Sequence, residues 1–476
     1  MAVYKSITRE IDEGPRGRRI GAFFDLDRTI IAGFSALAFW FRWSAAGKVS
    51  AGGLTRAALA TLSFGLGRSD FSSFVAQSAA LLEGVLEEDW SRLGENLFSS
   101  WLAGDVYPET RALIRAHQRA GHSVAIVSSA TRYQIVPVAA DLAIDQIMCT
   151  NLEVCDGKFT GKVVRPTCYG EGKARAASAF AAANGVDLED SYFYTDSDED
   201  MSLLNIVGRP RPINPNRRLS AIAAKRGWPV RSFHSRGAPR LEDVVRTTLA
   251  IASLGPSLAL GLPLAALDGQ WRSAINFAAS TWGELGTALA GVHVSVEGEE
   301  HLWSHRPAVF IFNHQSAIET LLLCKLLRRD FVGIGKQEIR RYPILGQIFA
   351  LAGTVFVDRY DHTKALHALA PALEALRSGV SLAIAPEGTR SATAKLARFK
   401  KGAFHLAMEA GVPLVPIVFV NALDALPKHR AVVRPAVIEV VVHPPIATTR
   451  WTRASLDERI AEVRQVFLDT LEERAS

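Results

Sequence analysis

Apolar and polar positions fall into two blocks of strand–helix pattern, separated by an uncharged stretch. Residues 20–26 (IGAFFDL) form a continuous apolar run ending in carboxylates, which predicts a buried strand. Between 32 and 105, Trp, Phe, Leu and Ala recur three and four positions apart, predicting helices. The runs 122–129 (HSVAIVSS) and 191–198 (SYFYTDSD) flank Ala-rich helical sequence, and this alternation implies a largely parallel sheet. The Pro/Arg-rich stretch 208–218 closes the first block. Residues 247–267 contain no charge over 21 positions, long enough to span a bilayer. Gly255-Pro256 and Pro263 interrupt that stretch, and Asp268, Arg272 and Glu284 follow, so a broken helical hairpin lying along or dipping into one leaflet is expected. From about 292, the runs 308–313, 353–358, 380–386, 412–420 and 437–445 mark strands of a second α/β domain. Residues 451–476 carry Leu456, Ile460, Val463, Phe467 and Leu471 at helical spacing, which predicts an amphipathic docking helix.

The 476 residues suit two or more domains, and 48% hydrophobic against 21% charged residues argues for folded rather than disordered chain. The net charge of +6 is unevenly placed: residues 301–450 hold 19 Lys and Arg against 10 Asp and Glu. A basic domain suits anionic ligands or an anionic lipid surface. No nucleic-acid module is visible, so nucleic acid is not an expected partner. The four cysteines, Cys149, Cys155, Cys168 and Cys324, lack zinc-site spacing and fit a reduced, cytoplasmic setting. The charged stretch Met1–Arg19 does not read as a signal peptide.

The first chemistry is Asp25-Leu26-Asp27-Arg28-Thr29 at the end of the first apolar run. Paired carboxylates two residues apart can divide roles, one attacking phosphorus and the other protonating the leaving oxygen. Ser128, ending the second run, offers a hydroxyl for phosphate; Lys173, in GEGKARA, offers a cation; Asp196 and Asp200, in YTDSDED, offer hard oxygens of the sort magnesium prefers. All come from strand ends or adjacent loops, where open α/β sheets place their sites. Together these motifs, over about residues 20–240, resemble the haloacid dehalogenase superfamily, in particular the branch with phosphoserine phosphatase. That resemblance implies a Rossmann-like parallel-sheet domain over 1–240 with a helical cap at about 32–105. It implies Asp25 as nucleophile, Asp27 as general acid/base, and Mg2+ held by Asp25, the Asp27 carbonyl and Asp196 with Asp200 in support. Two departures stand out. Arg28 occupies a position where many members have Gly or another small residue, and Phe34 stands where phosphoserine phosphatases carry Glu. The apolar neighbourhood IIAGFSALAFWFRW points to a greasier substrate than phosphoserine.

The second chemistry starts at Asn313-His314-Gln315-Ser316-Ala317-Ile318-Glu319. A carboxylate that fixes an imidazole tautomer lets the imidazole take a proton from a hydroxyl. Positions i and i+5 point about 140° apart on an ideal helix, so His314 must precede the helix for the pair to meet. The motifs GTVFVDR (353–359), PEGTRS (386–391) and VPLVP (412–416) follow in order. Over about 290–450 they resemble the glycerolipid acyltransferases, the PlsC-like 1-acylglycerol-3-phosphate group. The likeness implies His314 as base, Glu319 as its orienter, and Arg359, Glu387, Gly388, Thr389 and Arg390 around a glycerol phosphate. Lys336 and Lys400–Lys401 are further candidates for phosphate or coenzyme A. The family has Asp where this chain has Glu319.

The expected molecule is therefore a bifunctional enzyme: a phosphatase domain (1–240), a membrane-associated helical hairpin (241–290) and an acyltransferase domain (291–476). It would move an acyl chain from acyl-CoA or acyl carrier protein to lysophosphatidic acid, and hydrolyse a phosphomonoester such as phosphatidic acid. It would work at an anionic membrane surface on the cytoplasmic side. The alternative keeps the acyltransferase with another lysolipid or glycolipid acceptor, beside a catalytically silent phosphatase-like scaffold.

Overall fold

The computed structural model describes residues 4–45, 71–341, 345–357 and 370–475. The chain divides into two compact units, Met1–Ala238 and Pro239–Ser476.

The first unit is built on a five-stranded sheet of β1 (Ile20–Phe24), β2 (Ser123–Thr131), β3 (Gln146–Thr150), β6 (Asp187–Thr195) and β7 (Arg209–Pro212), in the order β3-β2-β1-β6-β7. Every pairing is parallel. β1 is central and wholly buried, which is why its sequence is a continuous apolar run rather than an alternating one. Phe23 and Phe24 pack on opposite faces, each in its own apolar cluster. The helices Ser35–Ala45, Phe71–Ala80 and Glu87–Ser100 lie in the region expected to form the cap. Trp90 gathers Phe39 (ring centroids 5.4 Å) and Trp43 (5.0 Å), fixing two of these helices to one another. A hairpin, β4 (Leu152–Cys155) with β5 (Lys158–Val163), joins the cap through the Gly84 N–H, which donates to Phe159 O. The periodicity had not separated this hairpin from its surroundings, because its burial is slight and its strands are short.

The second unit has a seven-stranded sheet in the order β11-β10-β12-β9-β13-β14-β8. Its strands are β8 (Val292–Glu297), β9 (Val309–Phe312), β10 (Phe331–Lys336), β11 (Val355–Val357), β12 (Ser381–Ile384), β13 (Leu414–Phe419) and β14 (Ala436–Val442). All pairs are parallel except β13 with β14. Thus β9 and β12, neighbours at the middle of the sheet, deliver their C-terminal loops to the same edge.

Residues 241–290, expected as a linker, cluster with this second unit. The helices Leu241–Ala252 and Leu254–Asp268 run on as one 28-residue helix, long and apolar enough to cross a membrane. The chain reverses at Gly269 (φ 71°) and returns as Trp271–Ala290. The hairpin turn therefore falls after Asp268, not at Gly255-Pro256. Pro256 lies in the first turn of its helix, where a backbone N–H has no intrahelical partner to lose. The returning helix is the packed one. Trp282 Nε1 donates to Ala250 O (2.9 Å) and Asn276 Nδ2 to Asp330 Oδ1 (2.8 Å). The outgoing helix leaves Leu249, Leu260, Leu262 and Leu267 exposed. The C-terminal helix Leu456–Ala475 docks Val463 and Phe467 into the second unit's own core.

Candidate active sites

In the first unit the loop after β1 brings the carboxylates together. The Asp25 backbone N–H donates to Tyr194 O, holding the end of β1 against β6 (3.0 Å). Lys173, buried at the start of the helix Glu171–Asn184, places Nζ 3.0 Å from Asp25 Oδ1 and 2.9 Å from Asp200 Oδ2. Thr195 Oγ1 also donates to Asp200 Oδ2 (2.5 Å). Asp200, expected beside a metal, also holds Lys173 against Asp25 and lines the same cavity. Asp27 Oδ1 accepts the Ser35 N–H (2.8 Å), which ties it to the first helix of the cap region. Burial pushes the Asp27 carboxyl up to about 7, and the neighbouring Asp25 charge adds to the rise. A carboxyl that keeps its proton near neutrality is suited to donate it.

Arg28 has φ 60°, the left-handed region, which explains why a Gly-like position matters here. Its guanidinium reaches Asp196 Oδ2 at 3.1 Å. Burial and the Asp25 charge push Asp196 up to about 7, and Arg28 opposes that rise. Among the described residues no three His, Cys, Asp or Glu side chains group as a metal cluster. The donor chemistry nevertheless fits a hard divalent cation. Asp25 and Asp196 are buried carboxylates that repel one another.

These groups line a cavity of about 400 Å³. One wall is polar, with Asp25, Asp27, Lys173 and Asp196; the other is apolar, with Phe34, Phe39, Trp40, Leu82 and Trp90. Ser128 lies just behind the wall: it is buried, and its hydroxyl accepts the Ala130 N–H (3.3 Å). The wall itself is Ser129, Ala130 and Thr131, with Gln134 beyond. The repeated Ser in HSVAIVSS was the available signal for this one-residue offset.

In the second unit His314 leaves the end of β9 and Glu319 begins the helix Glu319–Leu327. His314 Nδ1 and Glu319 Oε2 are 2.5 Å apart. Glu319 is fully buried, and its other oxygen, Oε1, accepts the N–H groups of Gln315 and Ser316 (both 2.8 Å). The tight turn thus folds around the carboxylate, and this is how the five-residue spacing closes. Glu387, expected to touch substrate, is buried and occupied. Oε1 accepts the His314 N–H (2.7 Å) and Oε2 the Ala397 N–H (2.8 Å). It thereby ties the His314 backbone to the loop at Ala397. Asn313 clamps the same turn to β13 by exchanging two hydrogen bonds with the Phe419 backbone, each 2.8 Å.

Gly388 (φ 77°) sits beneath Lys400; a Cβ there would meet the Lys400 side chain at 2.9 Å. His314 and Gly388 border a largely apolar cavity of about 940 Å³, walled by Phe312, Leu323, Ile334 and Phe356 among others. Its cations are Lys336, Arg398, Lys400 and Lys401. Lys336 also pairs with Glu338 (2.8 Å), and Lys401 with Asp457 (2.7 Å). Thr389 is exposed and Arg390 half-buried; neither lines that cavity. Arg359 lies outside the described residues.

Residues 22–205 match the model of the haloacid dehalogenase-like hydrolases, and residues 293–420 match that of the acyltransferases. A probable phosphatase of Mycobacterium tuberculosis is 37% identical over 223 residues, covering 46% of this chain and 77% of that protein. The 1-acyl-sn-glycerol-3-phosphate acyltransferase of Saccharomyces cerevisiae is 32% identical over 232 residues, covering 48% of this chain and 76% of the yeast protein. The chain belongs to both families. The crystal structure of the 1-acyl-sn-glycerophosphate acyltransferase PlsC from Thermotoga maritima is 24% identical, covers 50% of this chain and 96% of that one, and gives a TM-score of 0.43. A haloacid dehalogenase-type phosphatase domain is thus joined in one polypeptide to a glycerolipid acyltransferase domain.

Proposed function

We propose that the chain is a bifunctional enzyme of glycerophospholipid synthesis, transferring an acyl group to 1-acylglycerol-3-phosphate and hydrolysing a phosphomonoester. The observation that carries the acyl-transfer reading is the His314–Glu319 contact, with His314 facing a large apolar cavity. Glu319 holds Nδ1 of His314, which directs Nε2 to the acceptor hydroxyl. His314 takes the hydroxyl proton as the oxygen attacks the thioester carbonyl; the C–S bond breaks and the proton passes to the departing thiolate. The apolar cavity suits the acyl chain, and Lys336 and Lys400 suit the phosphates of acyl-CoA or acyl carrier protein.

In the phosphatase domain Asp25 attacks phosphorus, and Asp27 gives its proton to the leaving oxygen. Asp27 then takes a proton from the water that splits the aspartyl phosphate. Lys173 stabilises the charge on Asp25 and on the reacting phosphoryl oxygens. Asp25, Asp196 and the Asp27 carbonyl would hold Mg2+, which when bound supplies charge neutralisation at the phosphoryl group. The apolar wall favours a phosphomonoester with a hydrophobic body, such as phosphatidic acid, giving diacylglycerol.

Labelled lysophosphatidic acid with acyl-CoA tests both halves. Wild type is expected to yield phosphatidic acid and then diacylglycerol with Mg2+, Asp25→Asn to stop at phosphatidic acid, and His314→Ala to form neither. Phosphatidic acid that persists unhydrolysed with the wild type would sink the coupled reading.

The exposed leucines of the helix pair and the basic excess of the acyltransferase domain support docking on the cytoplasmic leaflet. Leu260→Glu with Leu267→Glu is expected to cut sedimentation with anionic vesicles severalfold at unchanged melting temperature. Equal sedimentation would remove that surface from the contact.

A further inference from the structure

We propose that the outward face of the helix Ser35–Ala45, with Phe34, Leu37 and Phe41, is a membrane-docking surface of the phosphatase unit that sets its cavity against an anionic leaflet. The inference rests on the reading of a lipid phosphomonoester as substrate. It adds a second lipid contact, separate from the exposed leucines of the helix pair.

This helix has three faces. Ser35, Phe39 and Trp43, four apart, are buried, and Phe39 and Trp43 pack on Trp90. Ala36 and Trp40 line the phosphatase cavity. Phe34, Leu37, Phe41 and Ala45, spaced by three and four, form an exposed stripe. Phe34 is 54% exposed, Leu37 53% and Phe41 82%. A helix that meets water on one side ordinarily carries polar residues there. The sequence SALAFWFRWSA has one charge, Arg42, and its exposed stripe is hydrocarbon. A contiguous apolar stripe of this kind marks a surface that something covers.

Charge and cavity identify the cover as lipid. Arg42 is exposed beside the stripe. From 28 to 69 the sequence holds Arg28, Arg42, Lys48, Arg56 and Arg68 but no Asp or Glu, although the whole chain has 48 acidic residues. Apolar side chains among cations, with no acid, suit a layer of anionic headgroups over hydrocarbon. Phe34 belongs to both surfaces: it lines the cavity and begins the stripe, with the Arg28 guanidinium 6.0 Å from its ring centroid. Ser35 ties the helix to the chemistry. Its N–H donates to Asp27 Oδ1 (2.8 Å), and its hydroxyl accepts Gln134 Nε2 (3.1 Å). The cavity, about 400 Å³, lies toward the small end of the roughly 300–1,000 Å³ range of ligand pockets. It takes the phosphate and the nearest part of a diacyl lipid, and the remaining hydrocarbon stays in the leaflet on which the stripe rests.

The test uses the full-length protein. Leu37 and Phe41 do not line the cavity, so Leu37→Glu with Phe41→Glu leaves the reacting groups in place. With Mg2+, hydrolysis of labelled phosphatidic acid in phosphatidylcholine–phosphatidylglycerol vesicles is expected to fall about tenfold, within the loss of two buried apolar side chains. Hydrolysis of soluble p-nitrophenyl phosphate and the melting temperature stay unchanged. Leu37→Trp with Phe41→Trp keeps vesicle hydrolysis. Binding is read separately, on the same vesicles without phosphatidic acid. In the Leu260→Glu, Leu267→Glu background, the remaining sedimentation is expected to fall to baseline when the Leu37 and Phe41 changes are added. Equal vesicle hydrolysis by wild type and variant overturns the proposal, as does background sedimentation that those two changes leave unmoved. So does a wild type that self-associates in light scattering while the variant is monomeric and hydrolyses vesicle lipid as before, since the stripe is then an interface between copies. A wild type that hydrolyses neither substrate, yet loses vesicle binding with the two changes, keeps the docking surface and sinks the substrate reading instead.

Discussion

Glu319 serves three donors with two oxygens, so the longer side chain can hold His314 and the turn together where the resembled group has Asp. Its Oε1 closes the turn on two backbone N–H groups while Oε2 reaches His314. Shortening the chain by one methylene stretches these contacts but leaves the charge. Glu319→Asp is therefore expected to keep measurable acyl transfer. Glu319→Gln removes the charge and must aim an N–H₂ either at backbone N–H groups or at Nδ1. A loss of roughly a hundredfold or more is expected, at the scale of a general-base step, read as phosphatidic acid formed per minute. Full activity in the Gln variant would remove Glu319 from the mechanism. At this scale the sequence was informative wherever a residue's chemistry is exposed to a ligand: Asp25, Asp27, Lys173 and His314 all face a cavity. It is silent on which polar residues turn inward. Glu387 belongs to its motif, but each of its oxygens accepts a backbone N–H, and no one-dimensional pattern shows which way a carboxylate turns.

Among the elements, the returning helix Trp271–Ala290 and the helix Glu319–Leu327 govern one another. A Cβ at Gly283 would lie 2.3 Å from Lys325 N and 2.6 Å from its Cα, so the two backbones touch. Since Glu319 opens the second helix, pushing it away moves the carboxylate from His314. Gly283→Ala is expected to lower stability by about 1–3 kcal/mol, the usual range for overpacking, and to depress acyl transfer at temperatures where the fold persists. A melting curve beside an activity curve checks this; activity that tracks melting would refute the coupling. The central strands β1, β2, β6, β9, β12 and β13 were legible in the sequence because buried parallel strands read as unbroken apolar runs, whereas β3, β7, β8 and β10, outside those runs, were not. The helix pair was legible as apolar, but its turn was not. Gly-Pro signals a break or a helix start equally well, and the deciding context, the reversal at Gly269, depends on which face finds Ala250 and Leu321 to pack on.

For the molecule as a whole, each unit has its own apolar clusters: one set contains Phe23 and Phe24, the other Phe310 and Phe467. Independent cores imply independent folding. Residues 1–238 and 239–476, produced separately, are each expected to melt cooperatively, with the phosphatase-type reaction in the first and acyl transfer in the second. A half that never folds alone would show that its core borrows from the other. The two units part at Ala238–Pro239, between the Pro/Arg-rich stretch 208–218 and the uncharged stretch 247–267.

The cavity beside His314 carries a thermodynamic consequence that needs no turnover. Its volume of about 940 Å³ corresponds to the liquid volume of some thirty waters at roughly 30 Å³ each, and its walls are mostly hydrocarbon. Filling it with an acyl chain removes apolar surface from water, so donor binding is expected to show a negative heat-capacity change that grows with chain length until the space is filled. Calorimetry at several temperatures with His314→Ala, expected to bind without transferring, would show where that growth stops. The point of saturation measures the room that the protein keeps for a fatty tail.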